Sequence, residues 1–383
     1  DLLKRLIMEN ETLTKKISRK ILLNPGPATT SKEVKMAQIV SDICPREQEF
    51  GDLMMDIRQG CVDVVNGKNN YEAILLGGSG TGAMEACLTS CTNENEEIVI
   101  INNGAYGKRM IQICKAFSIP YSSINFTWGD SINLDQVRAH LKNRKAKALA
   151  FIHHETTVGI LNPINELKAI ADEFKMITIL DAMSSYAGIE IDVEKTAIDF
   201  IISSSNKCIQ GMAGVGIVIA KVSSLEKIKS YKTKSFYFNL YNNFLNQKEK
   251  KQFLFTPPVQ TVYALKAAID EFRIEGIQGR AKRYADLYEQ MYEGMLTLGF
   301  EPLIDKSEHA KILTAFIEPK DPNYHFDKMH DYLYERGITI YPGKGAKQDT
   351  FRVSNIGTLN NQDITQFLVV IKEYLTTSNL KLN

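Results

Sequence analysis

The stretch "MITILDAMSSYAGIEIDVEKTAIDFIISSSNKCIQG", residues 176–211, decides how the chain folds. It holds two short runs rich in isoleucine, "MITILD" (176–181) and "DFIISS" (199–204). Both are nearly continuous in apolar residues, the pattern of strands buried on two faces of a parallel sheet. The first ends on Asp181. Soon after the second, past Asn206, comes Lys207. Ligands of such sheets sit at the carboxyl ends of the strands, so an acid and an amine are set there together. Taken singly, each has an ordinary reading: Asp181 as a turn cap, Lys207 as one more solvated lysine.

Further runs lie on either side: "YEAILL" (71–76), "EIVIIN" (97–102), "KALAFI" (147–152) and "GIVIA" (216–220). Helical patterns such as "GTGAMEACLTSC" and "PINELKAIADEF" separate them. The alternation predicts an α/β domain with a mainly parallel sheet. Beyond "FTPPVQ" (255–260) a long helical stretch covers 259–298. Then "FEPLID", "ILTAFIEP", "GITIYPG" and "TFRVSN" read as short strands, with helices at 325–336 and 361–375, as in a smaller α+β domain. The expected division is an N-terminal helical extension or linker to a further domain (1–20), a large domain (21–270) and a small C-terminal domain (271–383).

The 383 residues carry a net charge of +1, and 44% are hydrophobic, enough for a full core. That balance gives no reason to expect a nucleic acid or a membrane surface as partner, and "KNRKAK" (142–147) reads as a solvated loop. The six cysteines show no metal-ligand spacing, so no metal site is expected, and a reduced, cytoplasmic protein fits. His153 and His154 also lack metal-type partners and are read as structural.

"GGSGTGAMEA" (77–86) follows a strand and opens a helix. Its glycines let the backbone approach a ligand, and the helix start attracts an anion, commonly phosphate; Ser79 and Thr81 add hydroxyls. A tight turn without a ligand is the plain alternative. The dinucleotide pattern is matched only loosely, because Asn102 and Asn103 stand where an acid should end the next strand. No lysine follows to make a Walker loop. Cradle, acid and lysine at three strand ends are together the minimum set for pyridoxal 5'-phosphate: one element each for phosphate, ring nitrogen and aldehyde.

From about Ile21 onward the chain resembles the class V, fold-type I aminotransferases. The resemblance is carried by "LLNPGPATTS", "CPREQEFGDL", "GGSGTGAMEA", "NGAYGKRM", "HHETTVGILNP", "DAMSSYAGIEID", "SSSNKCIQG", "FTPPVQ" and "FRVSNIG", in that order. Within the class it is most similar to the branch that moves the amino group of 2-aminoethylphosphonate to pyruvate. The resemblance implies a mainly parallel seven-stranded sheet between helices. It implies that Lys207 condenses with the cofactor aldehyde and shuttles the proton, and that Asp181 pairs with the pyridine nitrogen. Ser79, Gly80 and Thr81 would bind phosphate, Tyr106 would stack on the ring, and Thr156 would bond its phenolic oxygen. Asn206 would hold the phosphate or ring edge. Thr256 would reach the phosphate of a neighbouring subunit, making a homodimer with shared active sites. Arg352 would anchor the substrate's acidic group, Pro25 and Gly26 would belong to a substrate-entrance loop (21–30), and Arg46 would assist with phosphonate. Alanine– or serine–glyoxylate transamination is the neighbouring activity, and a cofactor-free regulatory protein on the same fold is the alternative of another class.

Overall fold

The computed structural model describes residues 18–382, apart from 233, 344, 346, 347 and 381. Residues 1–17, and with them most of the expected N-terminal extension, lie outside the described residues. A seven-stranded sheet is built from β1 (Tyr71–Gly77), β2 (Ile98–Asn102), β3 (Tyr121–Asn125), β4 (Ala148–Ile152), β5 (Ile177–Asp181), β6 (Phe200–Ser204) and β7 (Val215–Lys221). Their order is β1-β7-β6-β5-β4-β2-β3. β2 to β6 pair in parallel, and β7 runs antiparallel to both β1 and β6. Every strand except β7 therefore delivers its carboxyl end to the same edge.

Alternation along each strand explains the continuous apolar runs. Leu75, Val99, Phe151, Leu180 and Ile201 enter the core on one face. Their neighbours Ile74, Ile100, Ile152, Ile179 and Ile202 enter the core on the other. The six expected strands are all present. The seventh, β3, was not expected: in "YSSIN" at the sheet's edge only Ile124 is buried, so no apolar run marks it.

Helices start from the carboxyl edge: α1 (Gly80–Ser90) after β1 and α2 (Ala105–Ala116) after β2. The long α3 (Val259–Thr297) joins two lobes. Its first part packs Val262, Leu265 and Ile269 under the sheet, whereas Leu287, Tyr288 and Met291 belong to the smaller core. That smaller core is completed by β8 (Leu313–Ile317), β9 (Ile338–Thr339), β10 (Tyr341–Pro342) and β11 (Thr350–Ser354), with α4 (Phe326–Glu335) and α5 (Asn361–Thr377). β8, β11 and β10 form an antiparallel sheet in that order. "FEPLID" is not a strand; only an isolated bridge joins Pro302 to Phe316, as a residue without an amide donor allows. At the other end of the chain, Ile21 and Leu22 pair with β9, Ile21 and Leu23 enter the small core, and Arg19 pairs with Asp363 of α5. The segment that follows then crosses from the small lobe to the carboxyl edge of the large sheet.

The two parts of α3 meet at Gly276, whose φ of 69° and ψ of 167° belong to a region almost restricted to glycine. Nothing lies within 4 Å of a Cβ added there, so any cost of substitution is backbone strain. Gly276→Ala is expected to destabilise the protein by about 1–3 kcal/mol, read by urea unfolding. A variant as stable as the parent would show that the kink is not needed.

Candidate active site

Five strand ends converge on one cleft. β5 ends on Asp181, which is 2% exposed. Asp181 Oδ1 accepts the Met183 amide at 2.8 Å, while Oδ2 is buried with no partner. The lack of solvation pushes this carboxyl up to about 7; nearby Glu155 adds to the rise, and Arg109 and Lys207 oppose it. Beyond β6 the chain turns through Ser205 and Asn206, and Lys207 points back into the cleft. Its Nζ donates to the Pro25 carbonyl. Burial lowers the amine's pKa, and Arg352 adds to the effect. A lysine so treated spends more of its time as the neutral amine that attacks an aldehyde.

The entrance loop closes over this amine. The Ala28 amide donates to Asn206 O at 3.0 Å. A Cβ on Gly26, where φ is +121°, would stand 2.5 Å from Lys207 Nζ, so glycine is required by both backbone and space. From β4, the segment after Ile152 brings His154, Glu155 and Thr156 into the interior, all nearly or wholly buried. Thr156 Oγ1 and His154 Nε2 have no partner. His154 binds Ser184 through Nδ1 at 3.0 Å, and burial holds its pKa near 3, so the ring is neutral. Arg352 comes from β11 in the small lobe and is 1% exposed. Its Nε donates to Pro342 O at 3.0 Å and its Nη1 to Thr156 O at 3.3 Å, and its side chain also engages Tyr106. Among the described residues neither Lys207, Asp181 nor Arg352 forms an ion pair.

Tyr106, Ile152 and Met183 supply apolar walls; Asp181, Lys207, Thr156 and His154 supply polar groups. A flat ring with a basic nitrogen, a hydroxyl and an aldehyde suits that set, because the orphaned Asp181 Oδ2 and Thr156 Oγ1 each gain a partner from it. The start of α1 adjoins the Met183 wall, where a Cβ on Gly80 would run into Met183 Sδ, and its residues would hold a phosphate. Ser79 is the helix cap and makes no side-chain capping bond; Gly80 and Thr81 open the first turn, whose amides lack helical acceptors. The residues present fit pyridoxal 5'-phosphate.

Other expected residues stand apart. Thr256 is exposed and does not line the cleft of a single chain. Arg46 is exposed and donates to Gln252 Oε1 at 3.0 Å and to Phe253 O at 3.1 Å, on the segment that leads to Thr256. Three residues were not anticipated: Met183 in the wall, Arg109 over Tyr106, and Glu155. The Glu155 carboxylate accepts Thr157 Oγ1 at 2.6 Å, Thr157 N at 3.1 Å and Tyr106 N at 3.3 Å, so it fixes the start of α2 and with it Tyr106. The spacing Tyr106–Arg109 on one helix face was the available signal for Arg109.

A desolvated lysine and a buried acid on the carboxyl edge of this sheet suit an enzyme of the pyridoxal-phosphate type. Residues 30–364 match the family Aminotransferase class-V, and the chain belongs to it; membership implies pyridoxal 5'-phosphate as cofactor. Among curated relatives, the 2-aminoethylphosphonate–pyruvate transaminase of Klebsiella pneumoniae subsp. pneumoniae is 38% identical over 358 residues, 92% of this chain and 96% of that protein. A bifunctional phosphonoacetaldehyde hydrolase/aminoethylphosphonate transaminase of Clostridioides difficile is 36% identical over 375 residues, 96% of this chain. The chain spans 59% of that longer protein. Among solved structures, the ureidoglycine–glyoxylate aminotransferase of Bacillus subtilis shares the fold, with a TM-score of 0.88 at 19% identity, covering 96% of this chain and 95% of its own.

Folding favours the protonated form of Asp181, because its pKa is higher in the folded cofactor-free chain than unfolded. The contribution is present in full below about pH 4 and is lost as pH rises through 7. In cofactor-free protein, Asp181→Asn is therefore expected to gain roughly 2–4 kcal/mol over the parent between about pH 4 and pH 8. Urea unfolding at both pH values reads this gain. An equal gap at the two values would contradict the desolvation of Asp181.

Proposed function

We propose that the protein moves the amino group of 2-aminoethylphosphonate to pyruvate, reversibly, giving phosphonoacetaldehyde and L-alanine. The observation that supports an acidic substrate is Arg352, a buried guanidinium near Lys207 that meets two backbone carbonyls and, among the described residues, no carboxylate. Such a cation is stabilised by an anion that joins it, and its planar fork matches a phosphonate or a carboxylate. The names of the two curated relatives support the phosphonate as amino donor.

When bound, the cofactor supplies an electron-withdrawing pyridinium and an aldehyde for the exchange of amines. Asp181 holds a proton at the ring nitrogen through its free Oδ2. Lys207, once released by the incoming amine, stands as the base that takes the proton from the amino-bearing carbon and returns it one atom further on. Arg352 fixes the acidic group of each substrate in turn, so that phosphonate and pyruvate carboxylate occupy the same place. Pro25 and Gly26 keep water from the Lys207 side of the cleft. The neutral His154 adds no competing charge.

A homodimer belongs to the proposal. Thr256 lies beside an aromatic face: Phe236 is 83% exposed, and Tyr237, 40% exposed, stacks on Phe255 at 4.7 Å. A second copy covering this face would remove that apolar surface from water and bring the partner's phosphate to Thr256. Six free cysteines suit the cytoplasm. No helix among the described residues is long and apolar enough to cross a membrane.

With pyruvate as acceptor, 2-aminoethylphosphonate is expected to be turned over in preference to serine and short ω-amino acids. Arg352→Lys is expected to lower kcat/KM for the phosphonate by roughly 10–100-fold. Coupled assay of alanine or of phosphonoacetaldehyde reads both. Turnover of serine or alanine with glyoxylate as acceptor, and no turnover of the phosphonate with pyruvate, would assign the protein to the glyoxylate-using group instead.

A further inference from the structure

Arg109 has no place in the chemistry above, yet it joins two elements of the site. It lies on α2 one turn after Tyr106, and its guanidinium packs over the Tyr106 ring at 4.9 Å. Its Nη1 reaches across to Thr81 Oγ1, in the first turn of α1, at 3.3 Å. One cation thus bridges the starts of two helices, where the backbone dipoles are already positive. Neither helix has an acidic residue in its first turn, and among the described residues Arg109 forms no ion pair. At α2 the imbalance is relieved by Glu155, whose carboxylate accepts the Tyr106 amide. Nothing equivalent stands at α1: Ser79 is exposed and makes no capping bond. A cation, an uncapped helix start and the Thr81 hydroxyl therefore meet at the start of α1, where among the described residues no carboxylate caps the helix or pairs directly with Arg109.

We propose that Arg109 is a positioning residue for the cofactor's phosphate, clamping Thr81 and the first turn of α1 to the Tyr106 ring and adding the positive charge that a dianion needs. Its stacking on Tyr106 holds the guanidinium in one plane, so little side-chain freedom is lost when the phosphate arrives. Thr81 is held with its hydroxyl hydrogen turned away from the guanidinium, because its oxygen is the acceptor of the Arg109 bond, and is free to donate to phosphate. The inference rests on the cofactor reading given above, and the two can fail separately.

The test titrates the full-length chain, stripped of cofactor, with pyridoxal 5'-phosphate and with pyridoxal, which lacks the phosphate, following absorbance. Arg109→Gln is expected to weaken pyridoxal 5'-phosphate binding about 10–100-fold, the worth of a charge-assisted hydrogen bond, and pyridoxal binding by less than about threefold. Arg109→Lys, which keeps the charge, restores most of the loss. An equal loss for both ligands would reduce Arg109 to a support for Tyr106, and no loss for either would remove its role; each overturns the proposal. Arg109→Met, which keeps the apolar contact over the ring, replaces the glutamine variant if that chain does not fold. If the unsubstituted protein binds no pyridoxal 5'-phosphate at all, it is the cofactor reading that fails.

Discussion

Lys207 and Asp181 are withdrawn from water in one cleft without touching each other, and the rest of the site follows from that constraint. A direct ion pair would satisfy both and leave neither for a ligand. Among the described residues the amine bonds the Pro25 carbonyl and the acid accepts the Met183 amide, and neither bonds the other. Burial then lowers the pKa of the amine and raises that of the acid, which makes the first a nucleophile and leaves the second a strong partner for a ring nitrogen. In the proposed reading Arg352 extends the same principle to the substrate: it is buried among carbonyls and would receive an anion. The folded chain is in this sense incomplete, and cofactor and substrate provide the charges that it lacks.

The sheet topology is what makes the arrangement possible. Because β7 alone is reversed, the ends of β1, β2, β4, β5 and β6 open on one edge and each contributes a single group or turn. The small lobe adds Arg352 from β11, while the segment starting at Ile21 brings Pro25 and Gly26 across to cover the lysine. The two lobes share the helix α3 and its kink at Gly276, so the distance from Arg352 to Lys207 depends on backbone geometry remote from both.

Most of the large lobe was legible in the sequence because buried parallel strands are apolar at every position. The exception, β3, lies at the edge and is largely polar, so periodicity had nothing to detect. Asp181 and Lys207 could be located because the first ends such a run and the second comes just after the turn that follows one. Glu155, Met183 and Arg109 could not be assigned in the same way. Glu155 acts through backbone amides of another helix, Met183 through its position in a wall, and Arg109 through a ring and a hydroxyl on two different elements; none of these relations has a sequence spacing except the last, and that one is short. Thr256 and Arg46 are the opposite case. They are conspicuous in the sequence, but a single chain leaves both outside the cleft, and a role for Thr256 needs a second copy.

The central claim is that one buried amine makes the covalent link to the cofactor. Reduction of the coloured protein with borohydride, followed by peptide mass analysis, tests it most directly. The account predicts a single modified peptide, carrying the reduced pyridoxyl group on Lys207. A modification spread over surface lysines, or placed on any other residue while Lys207 is recovered free, would contradict it.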